Sequence, residues 1–205
     1  MLALNNHLFL LLNAAATASP ISVLLAKVIA SQLIYAIPLV LLALWIWGEP
    51  DNRTGLASTA IAAVLALGAN QLASLLWYEP RPFMIGLGHT LLAHAPENSF
   101  PSDHTTFILT VGIGLIATRS APTWGKLVSA LGALVAWARI YLGLHFPIDM
   151  VASALIACLF GGAAVSLVPL VNRWLMPIVS RTYEGTLDTL RLPARVFLRR
   201  NYPEG

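Results

Sequence analysis

The sequence predicts an all-α integral membrane protein with about five transmembrane helices and a short N-terminal helix at the membrane interface. Of its 205 residues, 58% are hydrophobic and only 10% are charged, whereas soluble domains carry about 25% charged residues. Four long stretches contain no charged side chain, and a fifth contains only two. The composition therefore favours a protein of the lipid bilayer over a soluble domain.

The first 19 residues are apolar and end in the small residues AAATAS, which resemble a signal-peptidase site. A secretory signal begins with a positively charged region, but the first basic residue of this chain is Lys27. We therefore expect residues 1–19 to form an interfacial segment, with a short helix over residues 3–17, rather than a cleaved signal.

Five candidate spans follow within residues 20–172, which we expect to form the transmembrane domain. A spanning helix needs about 20 residues, within a range of about 17–25. The first span begins near Ile21, and the third reaches spanning length if its helix starts near Pro101. The apolar stretches are Val28–Gly48, Thr54–Tyr78, Thr105–Thr118, Trp124–Leu144 and Met150–Asn172.

Basic residues are distributed unequally between the two membrane sides that five alternating spans define. Nine lie on the side of loops 48–54 and 119–125 and of the C-terminal tail, and three lie on the other side. Because basic residues are retained in the cytoplasm, the second side is predicted to face outward. Residues 173–205 are then a basic cytoplasmic tail, and the net charge of +3 reflects topology rather than binding to nucleic acid.

Ionisable residues from three distant segments gather on the predicted outward side. Taken singly, each has an ordinary explanation, such as an arginine that reaches lipid headgroups or a carboxylate that caps a helix. Ionisable residues at membrane depth are costly and are usually functional, so their convergence favours a site. The residues are Arg81, Asp103, His104, Arg139, His145 and Asp149.

These residue types suit the chemistry of a phosphate group. Arginines offer forked donors to phosphate oxygens, and a helix that starts near Ser102 offers free backbone N–H groups. One histidine can attack phosphorus while another protonates the leaving oxygen. Asp149 follows His145 by four residues and can orient it if both lie on one helical turn. Without a thiolate cluster or a glycine-rich phosphate loop, phosphoryl transfer without a metal or cofactor fits best.

The motifs resemble the three-part signature of the type-2 phosphatidic acid phosphatase superfamily, Lys-x6-Arg-Pro, Pro-Ser-Gly-His and Ser-Arg-x5-His-x3-Asp. Within that superfamily, the stretches EPRPFMIG and ENSFPSDH most resemble bacterial undecaprenyl-pyrophosphate phosphatases of the bacitracin-resistance type. The resemblance covers roughly residues 20–172. The matching residues are Arg81-Pro82, Pro101-Ser102-Asp103-His104 and Arg139-x5-His145-x3-Asp149.

The resemblance implies a phosphatase of the bacterial plasma membrane that recycles a cell-wall lipid carrier. Its substrate would be a polyprenyl pyrophosphate whose tail stays in the lipid bilayer. His145 would form a phosphohistidine, oriented by Asp149, and His104 would act as general acid and then as general base. The groups that would hold the phosphoryl oxygens are Arg81 with Pro82, Arg139, Ser102 and the backbone of Asp103.

Three positions depart from the signature. Ser74 occupies the place of the lysine, and Lys27, which enters the bilayer from the same side, is the candidate replacement if it does not simply reach toward headgroups. Asp103 occupies the place of glycine, so we expect its side chain to turn away from the phosphate while its N–H group binds. Ala138 replaces the serine before the second arginine.

Several readings of the site stay open at the level of sequence. The signature recognises phosphate and not the lipid tail, so phosphatidylglycerol phosphate, phosphatidic acid and lipid A are alternative substrates, and a lipid phosphotransferase would use the same residues. An anion transporter needs polar residues through the whole membrane, whereas these cluster on one face. Most polar residues of loop 79–103 are interpreted as solvated, and Asn70 and Gln71 as interhelical hydrogen-bonding residues.

Overall fold

All regular secondary structure in residues 2–191, the part of the chain that this computed structural model describes, is helical. The predicted all-α class is therefore confirmed. A π-helical turn at Val171–Leu175 joins the last two helices. The α-helices are α1 Leu2–Leu12, α2 Pro20–Trp47, α3 Arg53–Leu76, α4 Asp103–Ala117, α5 Pro122–Tyr141, α6 Pro147–Leu170 and α7 Met176–Thr189.

Helices α2 to α6 form the predicted five-helix bundle. Among the described residues, three segments are long and apolar enough to cross a membrane: Pro20–Trp47, Pro50–Leu76 and Pro147–Thr189. Proline stands in the first turn of α2, α5 and α6, where its missing N–H group costs nothing and its fixed φ suits a helix. The outer faces of the bundle expose leucines such as Leu39 and Leu155, as contact with lipid requires.

Helix α4 is the centre of the bundle, and its length corrects the prediction. It packs against α3, α5 and α6, and a side chain at its Gly112 would collide with Ser129 of α5. The helix starts at Asp103 rather than near Pro101 and has 15 residues, or about 22 Å, less than the roughly 30 Å of a hydrocarbon core. Because neighbouring helices enclose α4, it need not span the lipid by itself.

Helix α1 packs beside the predicted polar residues. The Phe9 ring centroid lies 5.4 Å from that of Phe146, and Asn13 Nδ2 donates to the carbonyls of His89 and Tyr141 at 2.9 and 3.0 Å. The helix ends at Leu12 rather than near residue 17, because Asn13 and the following residues bond to other segments of the chain.

Helix α7 packs at the opposite end of the bundle, on the α2–α3 hairpin. Thr54 Oγ1 lies 3.4 Å from Asn172 Oδ1, and the Arg53 guanidinium carbon lies 4.6 Å from the centroid of the Tyr183 ring. The last part of the predicted basic tail, residues 192–205, lies outside the described residues. The predicted division of the chain at residues 19 and 172 stays a prediction.

Candidate active site

A cleft of about 310 Å³ opens at the end of the bundle where α1 packs. It lies between α3, α4, α5 and the connection from α3 to α4. Five predicted site residues, from three separate segments, therefore share one cavity. The residues that line the cleft are Gln71, Ser74, Arg81, His94, Glu97, Asn98, Pro101, Asp103, His104, Arg139 and His145.

The imidazole of His145 faces two arginines. Its Nε2 atom lies 3.1 Å from Arg81 Nη1 and 3.2 Å from Arg139 Nη2. Arginine can only donate hydrogen bonds, so Nε2 must accept them and the ring proton must be on Nδ1. The lone pair of Nε2 therefore points to where the two guanidinium groups converge. The side chain is only 2% exposed although it lines the cleft.

The opposite edge of the imidazole faces Ser99 and Asp149. Nδ1 lies 3.2 Å from Ser99 Oγ and 3.3 Å from Asp149 Oδ2. Asp149 is fully buried, and its Oδ2 also accepts from the Phe146 N–H group at 2.8 Å and from the Ser99 hydroxyl. A buried carboxylate at Nδ1 fixes the tautomer and stabilises the cation that forms when Nε2 attacks an electrophile.

The predicted contact between His145 and Asp149 is present, but a shared helical turn does not produce it. Helix α6 begins at Pro147, so His145 precedes the helix and Asp149 lies in its first turn. The Asp149 carboxylate caps the helix by accepting from the N–H group of Phe146. This capping turns the carboxylate back toward the histidine.

Both arginines of the cleft are held by main-chain carbonyls. Arg81 donates to Leu144 and Asn98 at 3.1 Å each, and Arg139 donates to Ala30 at 3.2 Å. Within residues 2–191 neither forms an ion pair with a carboxylate, and each leaves a buried Nε without a partner. Two buried, uncompensated cations are unfavourable unless an anion binds between them.

Burial and charge keep His145 neutral. Burial, reinforced by Arg139 and Arg81, lowers the pKa of His145 well below its ordinary value. Burial also lowers the pKa of His94, whose Nε2 lies 3.5 Å from Arg139 Nη2. At neutral pH the lone pair of His145 Nε2 is therefore available for bonding.

The N-terminus of α4 borders the cleft through Asp103 and His104, and its donors are arranged in a way that the sequence did not predict. The Ser102 N–H group, expected to be free, donates to Ser153 Oγ at 2.9 Å. The first intrahelical bond runs from Thr106 N to Ser102 O, so the N–H groups of residues 103–105 precede it. The Ser102 hydroxyl is fully buried and has no partner among the described residues.

The Asp103 carboxylate turns toward α3 and also lines the cleft, so the expectation that it turns away from a bound phosphate stays a prediction. Asn70 Nδ2 donates to its Oδ1 at 2.9 Å and Gln71 Nε2 donates to its Oδ2 at 3.1 Å. Asn70 also bonds to Thr106 of α4 at 3.0 Å, which confirms the predicted interhelical role of both amides. His104, the next residue of α4, is half-buried and lines the cleft.

Asn98 orders the connection from α3 to α4 and is an exception among its polar residues, which were interpreted as mostly solvated. His89 and Glu97 of the same connection are exposed. The Asn98 Oδ1 atom accepts from Glu79 N and Phe100 N, and its Nδ2 donates to Ser74 O and Trp77 O. Its carbonyl also holds Arg81. The only sequence signal for Asn98 and Ser99 was their position just before the Pro-Ser-x-His motif.

Two further predicted residues, Lys27 and Pro82, lie outside the cleft. Lys27 is half-buried on α2 and does not line the cleft, so its role as a replacement lysine stays a prediction without structural support. Ser74, at the missing lysine position, lines the cleft and donates to Phe100 O at 2.9 Å. Pro82 is buried and starts the short turn after Arg81. In the described chain, no three His, Cys, Asp or Glu side chains group as a metal site.

The sequence profile of the PAP2 superfamily matches residues 55–173, more than half of the chain. The chain belongs to the PAP2 superfamily. The predicted family is thus confirmed, and the protein is a membrane phosphatase of this family. The matched range includes every catalytic residue that the motifs predicted.

Two curated relatives cover most of the chain. This chain is 38% identical over 160 residues to YbjG of Escherichia coli (strain K12). The alignment covers 76% of this chain and 80% of that protein. The chain is 33% identical over 157 residues to the undecaprenyl-diphosphatase BcrC of Bacillus subtilis (strain 168), with coverage of 77% and 80%.

Two crystal structures share the fold. LpxE from Aquifex aeolicus matches with a TM-score of 0.68 at 23% identity, over 80% of this chain and 95% of that chain. A PAP2-type phosphatidylglycerolphosphate phosphatase from Bacillus subtilis matches with a TM-score of 0.58 at 16% identity, over 84% and 88%. At these identities the likeness describes the fold alone.

Proposed function

We propose that this protein hydrolyses undecaprenyl pyrophosphate to undecaprenyl phosphate and inorganic phosphate through a phosphohistidine at His145. The observation that carries the proposal is the convergence of Arg81 and Arg139 on the unprotonated Nε2 of His145. The diphosphate substrate is supported by the likeness to BcrC of Bacillus subtilis, which is named an undecaprenyl-diphosphatase.

The terminal phosphoryl group would bind between the two arginines. Their unpartnered Nε atoms and the unpartnered hydroxyl of Ser102 supply donors that no carboxylate competes for, and the first N–H groups of α4 add a helix terminus. A volume of about 310 Å³ is room for a diphosphate headgroup but not for a polyprenyl chain. The lipid tail would therefore lie along the exposed apolar helix faces, in the bilayer.

In the first step, the lone pair of His145 Nε2 forms a bond to the terminal phosphorus. The bond from phosphorus to the bridging oxygen breaks, its electron pair stays on that oxygen, and His104 donates a proton to the departing lipid phosphate. The imidazole of His145 becomes positively charged because it retains its Nδ1 proton. Asp149 stabilises that charge from the Nδ1 side.

In the second step, a water molecule attacks the phosphohistidine. His104, which is now neutral, accepts a proton from the water as the oxygen bonds to phosphorus. The phosphorus–nitrogen bond breaks, its electron pair returns to Nε2, and inorganic phosphate leaves. His145 is restored in its starting tautomer, with the proton on Nδ1.

The cleft is proposed to face outward from the bacterial plasma membrane, with α7 and the C-terminus in the cytoplasm. The topology predicted from the sequence assigns nine of the twelve basic residues to the other membrane side, and basic residues are retained in the cytoplasm. A cysteine introduced at exposed His89 in a Cys158→Ala background tests this orientation. An impermeant thiol reagent should label it in intact cells, and labelling only after the cells are broken would contradict the proposal.

The activity is tested by phosphate release from purified protein over a panel of lipid phosphates. The panel contains undecaprenyl pyrophosphate, undecaprenyl phosphate, phosphatidylglycerol phosphate, phosphatidic acid and lipid A. We expect the diphosphate to be preferred and His145→Ala to lose more than about a thousandfold in rate. Exposed His89 is the matched control, and His89→Ala should keep the rate. Preference for a glycerolipid would refute the substrate, and a fully active His145→Ala variant would refute the mechanism.

A further inference from the structure

Ser99 has a buried hydroxyl that the proposed mechanism does not yet use. The residue is fully buried, and its Oγ contacts both His145 Nδ1 and Asp149 Oδ2. It reaches them from the connection between α3 and α4, a segment remote in sequence from both. We propose that Ser99 is a positioning residue that, together with Asp149, holds His145 in the tautomer needed for attack; this inference rests on the proposed function.

The direction of each hydrogen bond follows from which of the three groups carries a proton to donate. A carboxylate cannot donate, so the single hydroxyl proton of Ser99 must point to Asp149. The lone pairs of Ser99 Oγ are then left for the Nδ1–H group of His145, at 3.2 Å. The Nδ1 proton is thus shared between Ser99 and Asp149. Both edges of the imidazole enforce the same tautomer, because the arginines donate to Nε2 on the other side.

The hydroxyl of Ser99 also supports the charge of Asp149. Asp149 Oδ1 is buried without a partner among the described residues, so the donors to the carboxylate all act on Oδ2. They are the Phe146 N–H group, the Ser99 hydroxyl and the Nδ1–H group of His145. Loss of one of three donors makes a buried carboxylate easier to protonate, and a protonated Asp149 is a poorer acceptor for His145.

The position of Ser99 does not depend on its own hydroxyl. Its N–H group donates to Glu79 O at 2.8 Å. Both neighbours of Ser99 are also fixed by hydrogen bonds. The side chain of Asn98 donates to Trp77 O at 2.8 Å, and the hydroxyl of Ser74 donates to Phe100 O at 2.9 Å. We therefore expect Ser99→Ala to fold and to remove the hydroxyl alone.

The first test is nitrogen-15 NMR of histidine-labelled protein in detergent, without substrate. The chain has five histidines, and the signal that disappears in His145→Gln identifies His145. We expect the Nδ1–H tautomer in the wild type and a mixture of tautomers in Ser99→Ala. An Nε2–H tautomer in the wild type, or an unchanged His145 signal in Ser99→Ala, would overturn the inference.

The second test compares the kinetics of Ser99→Ala with those of Ser58→Ala. Ser58 is an equally buried serine at the far end of the bundle, and its hydroxyl donates to Thr54 O at 2.8 Å. We expect Ser99→Ala to lower kcat by roughly ten- to a hundredfold, with KM unchanged within about twofold and the acid limb of the kcat profile moved to higher pH. Ser58→Ala should change none of these quantities.

A double-mutant test of Ser99 and Asp149 distinguishes a role in positioning His145 from a general structural role. In an Asp149→Ala background, Ser99→Ala should cost little further activity, because both residues act through His145. Additive losses, or a loss of kcat with an unmoved acid limb, would show a general structural role instead. If wild-type protein released no phosphate from any lipid diphosphate, the proposed function would fail, and the tautomer measurement would still decide the role of Ser99.

Discussion

The protein buries arginines at both ends of its bundle, and their surroundings differ. At the cleft end, Arg81 and Arg139 converge on a histidine lone pair and leave buried Nε atoms without partners. At the opposite end, Arg53 donates to Trp45 O at 3.1 Å, and its guanidinium carbon lies 5.6 Å from the Trp45 ring and 4.6 Å from the Tyr183 ring.

This difference shows that burial does not by itself make an arginine an anion site. Arg53 is 2% exposed and Arg139 is 4% exposed, so exposure does not distinguish them. The rings of Trp45 and Tyr183 make cation–π contacts with Arg53, which stabilise its charge and join α7 to the hairpin. At the cleft, the donors instead point at main-chain carbonyls and at His145 Nε2, and the two buried Nε atoms have no partner among the described residues. Donor direction therefore distinguishes Arg53 from the two arginines that we propose to bind the substrate phosphate.

The largest effect that tests this comparison is expected from changing arginine to lysine at the two ends. Arg139→Lys should lower kcat/KM by about a hundredfold or more, because a compact ammonium cannot reproduce the forked donors. Arg53→Lys should keep kcat/KM within about twofold and lower thermal stability. Phosphate release and thermal unfolding in the same detergent measure both quantities. Equal losses of activity in the two variants would contradict the functional difference between Arg139 and Arg53.

The next effect concerns the pKa of His145. Burial and the neighbouring arginines lower this pKa, so the wild-type imidazole stays neutral as pH falls below the ordinary histidine value of about 6.5. Removing one positive neighbour raises the pKa, so Arg139→Gln should protonate His145 at a higher pH than in the wild type. An NMR titration of His145 from about pH 5 to 8 measures the shift, with Arg53→Gln as control. A titration unmoved in Arg139→Gln would contradict the account.

A smaller effect is expected from the aromatic contact at the opposite end. Tyr183→Ala should lower the free energy of unfolding by about 1–2 kcal/mol, because it removes one face of the cation–π contact. Tyr183→Phe keeps the ring and should retain most of the stability. Thermal unfolding measures the difference, and phosphate release should stay within about twofold in both variants. A Tyr183→Ala variant that unfolded normally but lost activity would show that the two ends are coupled.

The smallest effect is expected at Lys27. The side chain does not line the cleft, so Lys27→Ala should keep kcat/KM within about twofold. A loss of a hundredfold in phosphate release would instead support the sequence-based hypothesis that Lys27 supplies the missing charge at Ser74.

The sequence predicted the bundle because an apolar run dominates each of its helices. It predicted the main site residues because the spacing of the motifs can be read directly from the sequence. Arg81, His104, Arg139 and His145 all line the predicted cleft. The length of α4 was mispredicted, since a helix enclosed by other helices is free of the length requirement that lipid imposes on an exposed one.

The residues that sequence reasoning missed act through hydrogen bonds that only the folded chain creates. Asn98 and Ser99 look like loop residues, yet their side chains bond to groups up to 50 positions away. The direction of Asp149 was likewise set by capping of α6 rather than by the four-residue spacing. Such bonds depend on where the connection from α3 to α4 folds back, which no local pattern records.

The central claim is most directly tested by trapping the intermediate. The protein would be mixed with undecaprenyl pyrophosphate labelled in its terminal phosphate, and the reaction would be quenched in alkali, which preserves phosphohistidine. The protein would then be digested into peptides. We predict label on the peptide that contains His145, and no label on that peptide in His145→Ala. Label on another residue, or full turnover by His145→Ala, would contradict the mechanism.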